Sequence, residues 1–278
     1  MIRQALVIID QSRISQHAQD FAFALAKKKK IRLTAVGIVD TPWLTAAQPE
    51  PLGGMSVKIR GDEALVRNTT HTTKIYLDEF YASAQKAKIP CSIRQVDGVP
   101  AVEVNKISQE YDFIITPPKI DLHHELEKPN LGFLIDLGQT TARPIYVIPG
   151  AYPARSKTVI LAFDGSASAS KAIYLYILMG FAKGKDLHVI SVDKNTDQAE
   201  EHCRQIVRLA NSHGLKPQTH AIASSTRPEG KVLELADKVE AAEIVMGAFG
   251  HSALHEMLFG SCARTLLEKA KIPLFIHH

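Results

Sequence analysis

One order of elements occurs twice along this chain, and few folds can accommodate that. Strand one is Ala5-Leu-Val-Ile-Ile9 followed by Asp10 in the first half, and Thr158-Val-Ile-Leu-Ala-Phe163 followed by Asp164 in the second. Each leads through a short polar stretch into an amphipathic helix. Its apolar face carries Ala18, Phe21, Ala22 and Leu25 in the first copy, and Ala169, Ile173, Tyr176, Ile177 and Phe181 in the second. The second strands end at Val39-Asp40 and Val192-Asp193, each before a long helix, Glu63 to Lys88 and Thr196 to His213. The third strands, Cys91 to Val96 and Gln218 to Ala223, lead into helices opened by Pro100 and Pro228, where the missing N–H would have had no intrahelical partner. Phe113 to Ile115 and Ile244 to Met246 are the fourth strands; Ile145 to Ile148 and Leu274 to Ile276 are the fifth. Strand alternating with helix predicts an α/β fold: two tandem open parallel five-stranded sheets, joined by right-handed crossovers, with helices on both faces. The stretch from Pro149 to Ser156 is the linker, giving a first domain over 1–150 and a second over 157–278.

Composition narrows the class. At 278 residues, 45% hydrophobic and 22% charged, the chain can bury one or two ordinary cores and lacks the signature of disorder. No apolar run approaches the roughly 18 residues that span a bilayer, and Met1 leads directly into a strand, so the expectation is a cytoplasmic protein without a membrane partner. Cys91, Cys203 and Cys262 are scattered and form no Cys-x-x-Cys pair, which argues for reduced thiols rather than disulfides or a cysteine zinc site. The net charge of +4 is small, and its one dense run, Lys27 to Lys30, suits the negative end of a helix dipole. No aromatics interleave with it, so nucleic acid is not an expected partner.

Function is concentrated in Gly247-Ala-Phe-Gly250, nine further residues, and Gly260-Ser261. This segment lies between a short apolar strand, Glu243 to Met246, and a helix from Ser261 to Lys271 with Leu266, Leu267 and Ala270 on one face. Glycines at such spacing let backbone N–H groups crowd around an anion, and a helix start adds free amides that favour negative charge. A phosphate is the expected anion; a pair of ordinary turns is the other reading. The first half has Thr116-Pro117-Pro118 at the equivalent place, and two prolines remove amides an anion would need. Gly132 and Gly138 survive there without a Gly-Ser helix start, so the first copy is expected not to bind. Its insertion from Thr41 to Asp62, which holds the single tryptophan Trp43, reads as a lid or as a solvated connection.

On the Gly-x2-Gly-x9-Gly-Ser pattern, Phe163-Asp164-Gly165-Ser166, the strand ending at Asp193 and the helix opened by Pro228, the chain resembles a tandem member of the universal stress protein family. The resemblance is close from about Lys157 to His277 and covers only the order of elements before that. It implies strand order 3-2-1-4-5 and a ligand at the switch point between strands one and four. It further implies ATP, with or without Mg²⁺, as that ligand. Gly247, Gly250, Gly260 and Ser261 would then hold phosphates, Asp164 would face the nucleoside, and the backbone near Ser191 and Val192 would border the adenine. His251, beside Gly250, is placed to contact phosphate, or with His255 to form half of a metal site that lacks a third ligand. Asp164 accepts from a ribose hydroxyl or adenine amine, or else caps the following helix together with Ser166. Cys262 is either a thiol activated by a helix N-terminus or a small buried residue.

These readings suggest a nucleotide-binding regulatory protein. Its fifth strands would pair within the chain as an internal pseudo-dimer, and a homodimer or other protein partners would remain open. A slow ATPase or a phosphoryl or nucleotidyl transferase using the same loop is the competing reading. No Gly-x4-Gly-Lys-Ser/Thr loop, no lysine beside the glycines and no obvious carboxylate pair for Mg²⁺ supports it. Asp10-Gln-Ser and Asp164-Gly-Ser stand where a dinucleotide-binding oxidoreductase needs glycines, and no Gly-x-Ser-x-Gly elbow supports a serine hydrolase.

Overall fold

The computed structural model describes residues 2–46, 55–123, 128–152, 156–248 and 261–278, with the side chains of 55–57 left aside. The chain forms two compact units, Arg3–Thr140 and Thr141–His278, the latter joined by Ile2.

In the first unit the order is β1 (Gln4–Ile8), α1 (Arg13–Lys29), β2 (Arg32–Val39), α2 (Thr41–Leu44), α3 (Met55–Lys86), β3 (Cys91–Asp97), α4 (Pro100–Ser108), β4 (Phe113–Thr116) and α5 (Gly132–Thr140). The strands lie parallel in the order β3-β2-β1-β4. Consecutive residues of β1, β2 and β4 are buried, which for side chains that alternate across a sheet means that both faces are covered. Helix α1 starts where Ser12 Oγ accepts from Ser15 N at 3.2 Å, and its last turn is Lys27, Lys28 and Lys29. Lys30 follows with φ 56°, and Ile31 N reaches back to Ala26 O, so the lysine run ends a helix as its position suggests. Helix α3 departs from expectation by beginning at Met55 rather than Glu63. Charge pairs at i,i+4 spacing, the half-buried Lys58–Asp62 at 3.5 Å and the exposed Glu63–Arg67 at 3.6 Å, sustain turns that have no apolar stripe to announce them. The insertion thus contains α2 and the start of α3, and 47–54 lies outside the described residues.

The second unit contains β5 (Ile145–Val147), β6 (Thr158–Ala162), α6 (Ala167–Leu178), β7 (Asp186–Asp193), α7 (Thr196–Ser212), β8 (Gln218–Ala223), α8 (Pro228–Lys238), β9 (Glu243–Gly247), α9 (Ser261–Lys269) and β10 (Leu274–His277). Strands β6 to β10 are parallel and follow the 3-2-1-4-5 order, β8-β7-β6-β9-β10. On the outer side of β10 lies β5, antiparallel, with Ile145, Tyr146 and Val147 opposite Ile276, Phe275 and Leu274. The fifth strands therefore pair as expected. The compact-unit boundary at Thr141 places β5 with the C-terminal half, where a division at 150 would assign it to the first.

Helix α6 stops at Leu178, short of Phe181, because Gly180 N and Phe181 N bond back to Ile177 O and Tyr176 O at 2.9 and 3.1 Å. Phe181 is buried nonetheless, its ring 5.3 to 5.8 Å from those of Tyr146, Tyr176 and Phe275. Beside this cluster Glu243 accepts from Tyr146 Oη at 2.9 Å and from Lys185 Nζ at 2.7 Å, an ion pair 4% and 8% exposed.

Candidate functional site

Three elements of the second unit fix the carboxyl edge of its sheet. Strand β6 lies between β7 and β9, so the residues after β6 and the end of β9 are neighbours at the switch point. Phe163 N still bonds to Ile190 O at 2.9 Å, after which Asp164 turns the chain out of the sheet. Its Oδ1 accepts from Ser166 N at 3.0 Å, while Ser166 Oγ accepts from Ala169 N at 3.2 Å. Ser166 is thus the N-cap of α6. Asp164 supports the turn with one oxygen and is exposed, and Oδ2 has no partner among the described residues.

Gly165 is held at φ +82°, and a side chain there would strike His202, with Nε2 only 2.5 Å from the place of its Cβ. His202, from α7, is buried and was not singled out by the sequence reading. Gln198 Nε2 donates to its Nε2 at 2.8 Å, which leaves the ring proton on Nδ1 to be donated to Ser191 Oγ at 3.1 Å. Ser191 is therefore buried with its hydroxyl engaged, and Val192, half-buried, continues β7 opposite Ile222. No local motif marks His202, because its partners Gly165 and Ser191 come from other elements; its place on the apolar face of α7 was the available signal.

Gly247 ends β9 opposite His277. A Cβ on it would collide with the backbone N of Ala169 and fall 2.7 Å from Ala169 Cα and from Ser168 Oγ. The absence of a side chain at Gly247 is thus what lets the first turn of α6 pack onto the end of β9. Ser261 opens α9 and is exposed, its carbonyl accepting from Thr265 Oγ1 at 2.9 Å. Gly250, His251, His255 and Gly260 lie outside the described residues.

Cys262, in the first turn of α9, lies against Glu229 of α8 and within electrostatic reach of Asp164. Burial, then the Glu229 carboxylate, then Asp164 push the thiol up to about 12, so it stays protonated. Of the two readings of Cys262, this environment favours the inert thiol, with burial the largest effect and the two carboxylates adding to it. Among the described residues no group of three metal-ligating side chains occurs, and no helix is long and apolar enough to cross a membrane.

The first copy differs at the matching aspartate. Asp10 is buried, and both its oxygens are taken by main-chain donors, Oδ1 by Ser12 N at 2.7 Å and Oδ2 by Asp121 N at 2.6 Å. Asp40 is likewise engaged, by Trp43 N and by His123 Nε2 at 3.1 Å, and Trp43 stacks on the His123 ring at 3.8 Å. A cavity of about 270 Å³ remains beside them, lined in part by Asp40, Pro100, Lys128, Asn130 and Gly132.

An open parallel sheet of this order, with an exposed aspartate after its first strand, is the frame within which comparison with known proteins is read. Residues 155–278 match the model of the universal stress protein family. Along its whole length it is similar to universal stress protein Slr1230 of Synechocystis, at 22% identity over 98% of this chain and 99% of that one. A shorter stretch, 29% of this chain, is 28% identical to 46% of universal stress protein MJ0531 of Methanocaldococcus jannaschii. The fold matches the crystal structure of a universal stress protein from Archaeoglobus fulgidus with a TM-score of 0.74 and 18% identity, over 99% of this chain and 97% of the other.

Proposed function

We propose that the C-terminal unit is an adenine-nucleotide-binding regulatory module that holds ATP at the carboxyl edge of β6 and β9. The observation that carries this reading is the exposed Asp164, with one oxygen unpartnered among the described residues, at the carboxyl edge of β6 beside the end of β9 and within electrostatic reach of the first turn of α9. An acceptor of that kind suits a ribose hydroxyl or an adenine amine, while the amides opening α9 suit phosphate oxygens. Ser261 would add a hydroxyl donor; Gly250, His251 and Gly260 enter through the sequence pattern alone. With Ser191 Oγ and Gly247 engaged by neighbouring elements, their contribution would come through the backbone. Mg²⁺ would accompany the phosphates rather than occupy a resident protein site. Regulation follows only if ATP favours one conformation or association state over another. The first copy, with Asp10 satisfied internally, is read as a non-binding partner domain.

The test is to incubate the purified chain with ATP and Mg²⁺ and to measure bound nucleotide and released phosphate together. One equivalent bound with negligible turnover is the expected result. Asp164→Ala should weaken binding about 10- to 100-fold, the worth of one hydrogen bond to a charged acceptor, and Gly260→Val should abolish it with circular dichroism unchanged. Sustained turnover lost in these variants would identify a slow ATPase or transferase instead. Absence of binding would overturn the reading.

A further inference from the structure

Glu229 occupies an unusual position. It is the second residue of α8, and although an acidic side chain in a first turn is ordinarily a solvated partner of the helix dipole, this one is only 7% exposed. Among the described residues it makes no ion pair, and its Oε2 is buried without a hydrogen-bond partner. The carboxyl group lies against the Cys262 thiol in the first turn of α9, which brings it to the start of α8 and beside the start of α9. The start of α8 has no side-chain cap of its own, since Arg227 makes no capping bond. A buried carboxylate without a counter-ion is costly, and a helix start is a place that favours negative charge. That is also the place where the reading above puts phosphate.

We propose that Glu229 is a built-in anion of the nucleotide site, one that competes with the phosphates for the start of α9 and so determines how many phosphates the site accepts. The inference rests on the nucleotide reading of the same site. Like charges in a partly desolvated cleft repel strongly, and the penalty grows with each phosphate brought near. Nucleoside, which carries no charge, is indifferent to Glu229. Free ATP and inorganic tripolyphosphate are penalised, and Mg²⁺ relieves the penalty by neutralising the ligand.

The experiment uses the full chain and its Glu229→Gln variant, which keeps the shape and removes the charge. Calorimetric titrations with adenosine, ATP and inorganic tripolyphosphate are run in excess EDTA and again in Mg²⁺. In EDTA the variant is expected to bind ATP and tripolyphosphate at least about tenfold more tightly than the wild type, with adenosine affinity unchanged and the gain reduced in Mg²⁺. A merely structural Glu229 would alter thermal stability and leave the ATP-to-adenosine ratio where it was; an unchanged ratio overturns the proposal while adenosine binding upholds the nucleotide reading. Equal changes for adenosine and ATP also overturn it. If neither protein binds any of the three ligands, the nucleotide reading fails and this inference with it.

Discussion

Gly247 carries two readings that look identical in a sequence. A glycine that ends a strand before a glycine-rich segment can clear room for a phosphate or for another piece of protein, and at Gly247 the space is filled by Ser168 and Ala169 of α6. Gly247→Ala should therefore lower the free energy of unfolding by about 1–3 kcal/mol, the usual cost of forcing a methyl into packed surroundings, as measured by urea denaturation. Adenosine affinity should fall with it only if the shift of α6 carries Asp164 along. The same limit hides Glu229 and His202. Each is an ordinary helix residue by type and spacing, and its significance comes from Cys262, Gly165 and Ser191, which the fold brings in from elsewhere. Asp164 could be read because it terminates an apolar strand. Which of its two roles it plays could not, because the capping bond goes to Ser166, two residues further on.

Among the elements, the strands were legible nearly throughout, since parallel strands covered on both faces leave uninterrupted apolar runs such as Leu6 to Ile9 and Val159 to Leu161. The early turns of α3 were not, being held by charge pairs rather than by an apolar face. Strand pairing also brings together groups that no period reveals. His188 of β7 and His220 of β8 meet with nitrogens 2.9 Å apart and rings stacked at 5.2 Å, and burial lowers the pKa of both, with mutual repulsion adding to it at His220. A histidine whose pKa is lower in the folded state stabilises the fold fully above its unfolded value near 6.5, and that contribution is lost as pH falls through the folded value. Unfolding free energy should therefore decline below about pH 6.5. The double variant His188→Gln, His220→Gln should show a shallower decline in urea titrations between pH 7 and pH 5. His277, whose pKa is also lowered by burial, contributes with the same sign in both proteins and cancels in the comparison.

For the molecule as a whole, the repeat in the sequence and the division of the structure do not coincide. The fifth strand of the first repeat is a structural member of the second unit, where Tyr146 is 2% exposed and bonded to Glu243. A fragment spanning 141–278 should consequently unfold at higher urea than one spanning 157–278. The shorter fragment loses the burial of Ile145, Tyr146 and Val147, each worth about 1.5–3 kcal/mol. The two copies also diverge at Asp10 and Asp164, which share a place in the sequence pattern. In the first copy that carboxylate is spent as a knot between the start of α1 and the chain beyond β4. Transplanting the glycine segment of the second copy into the first would thus not recreate a receptor there. The knot would have to be untied first, and with it the anchorage of Asp121 that closes over the end of β1.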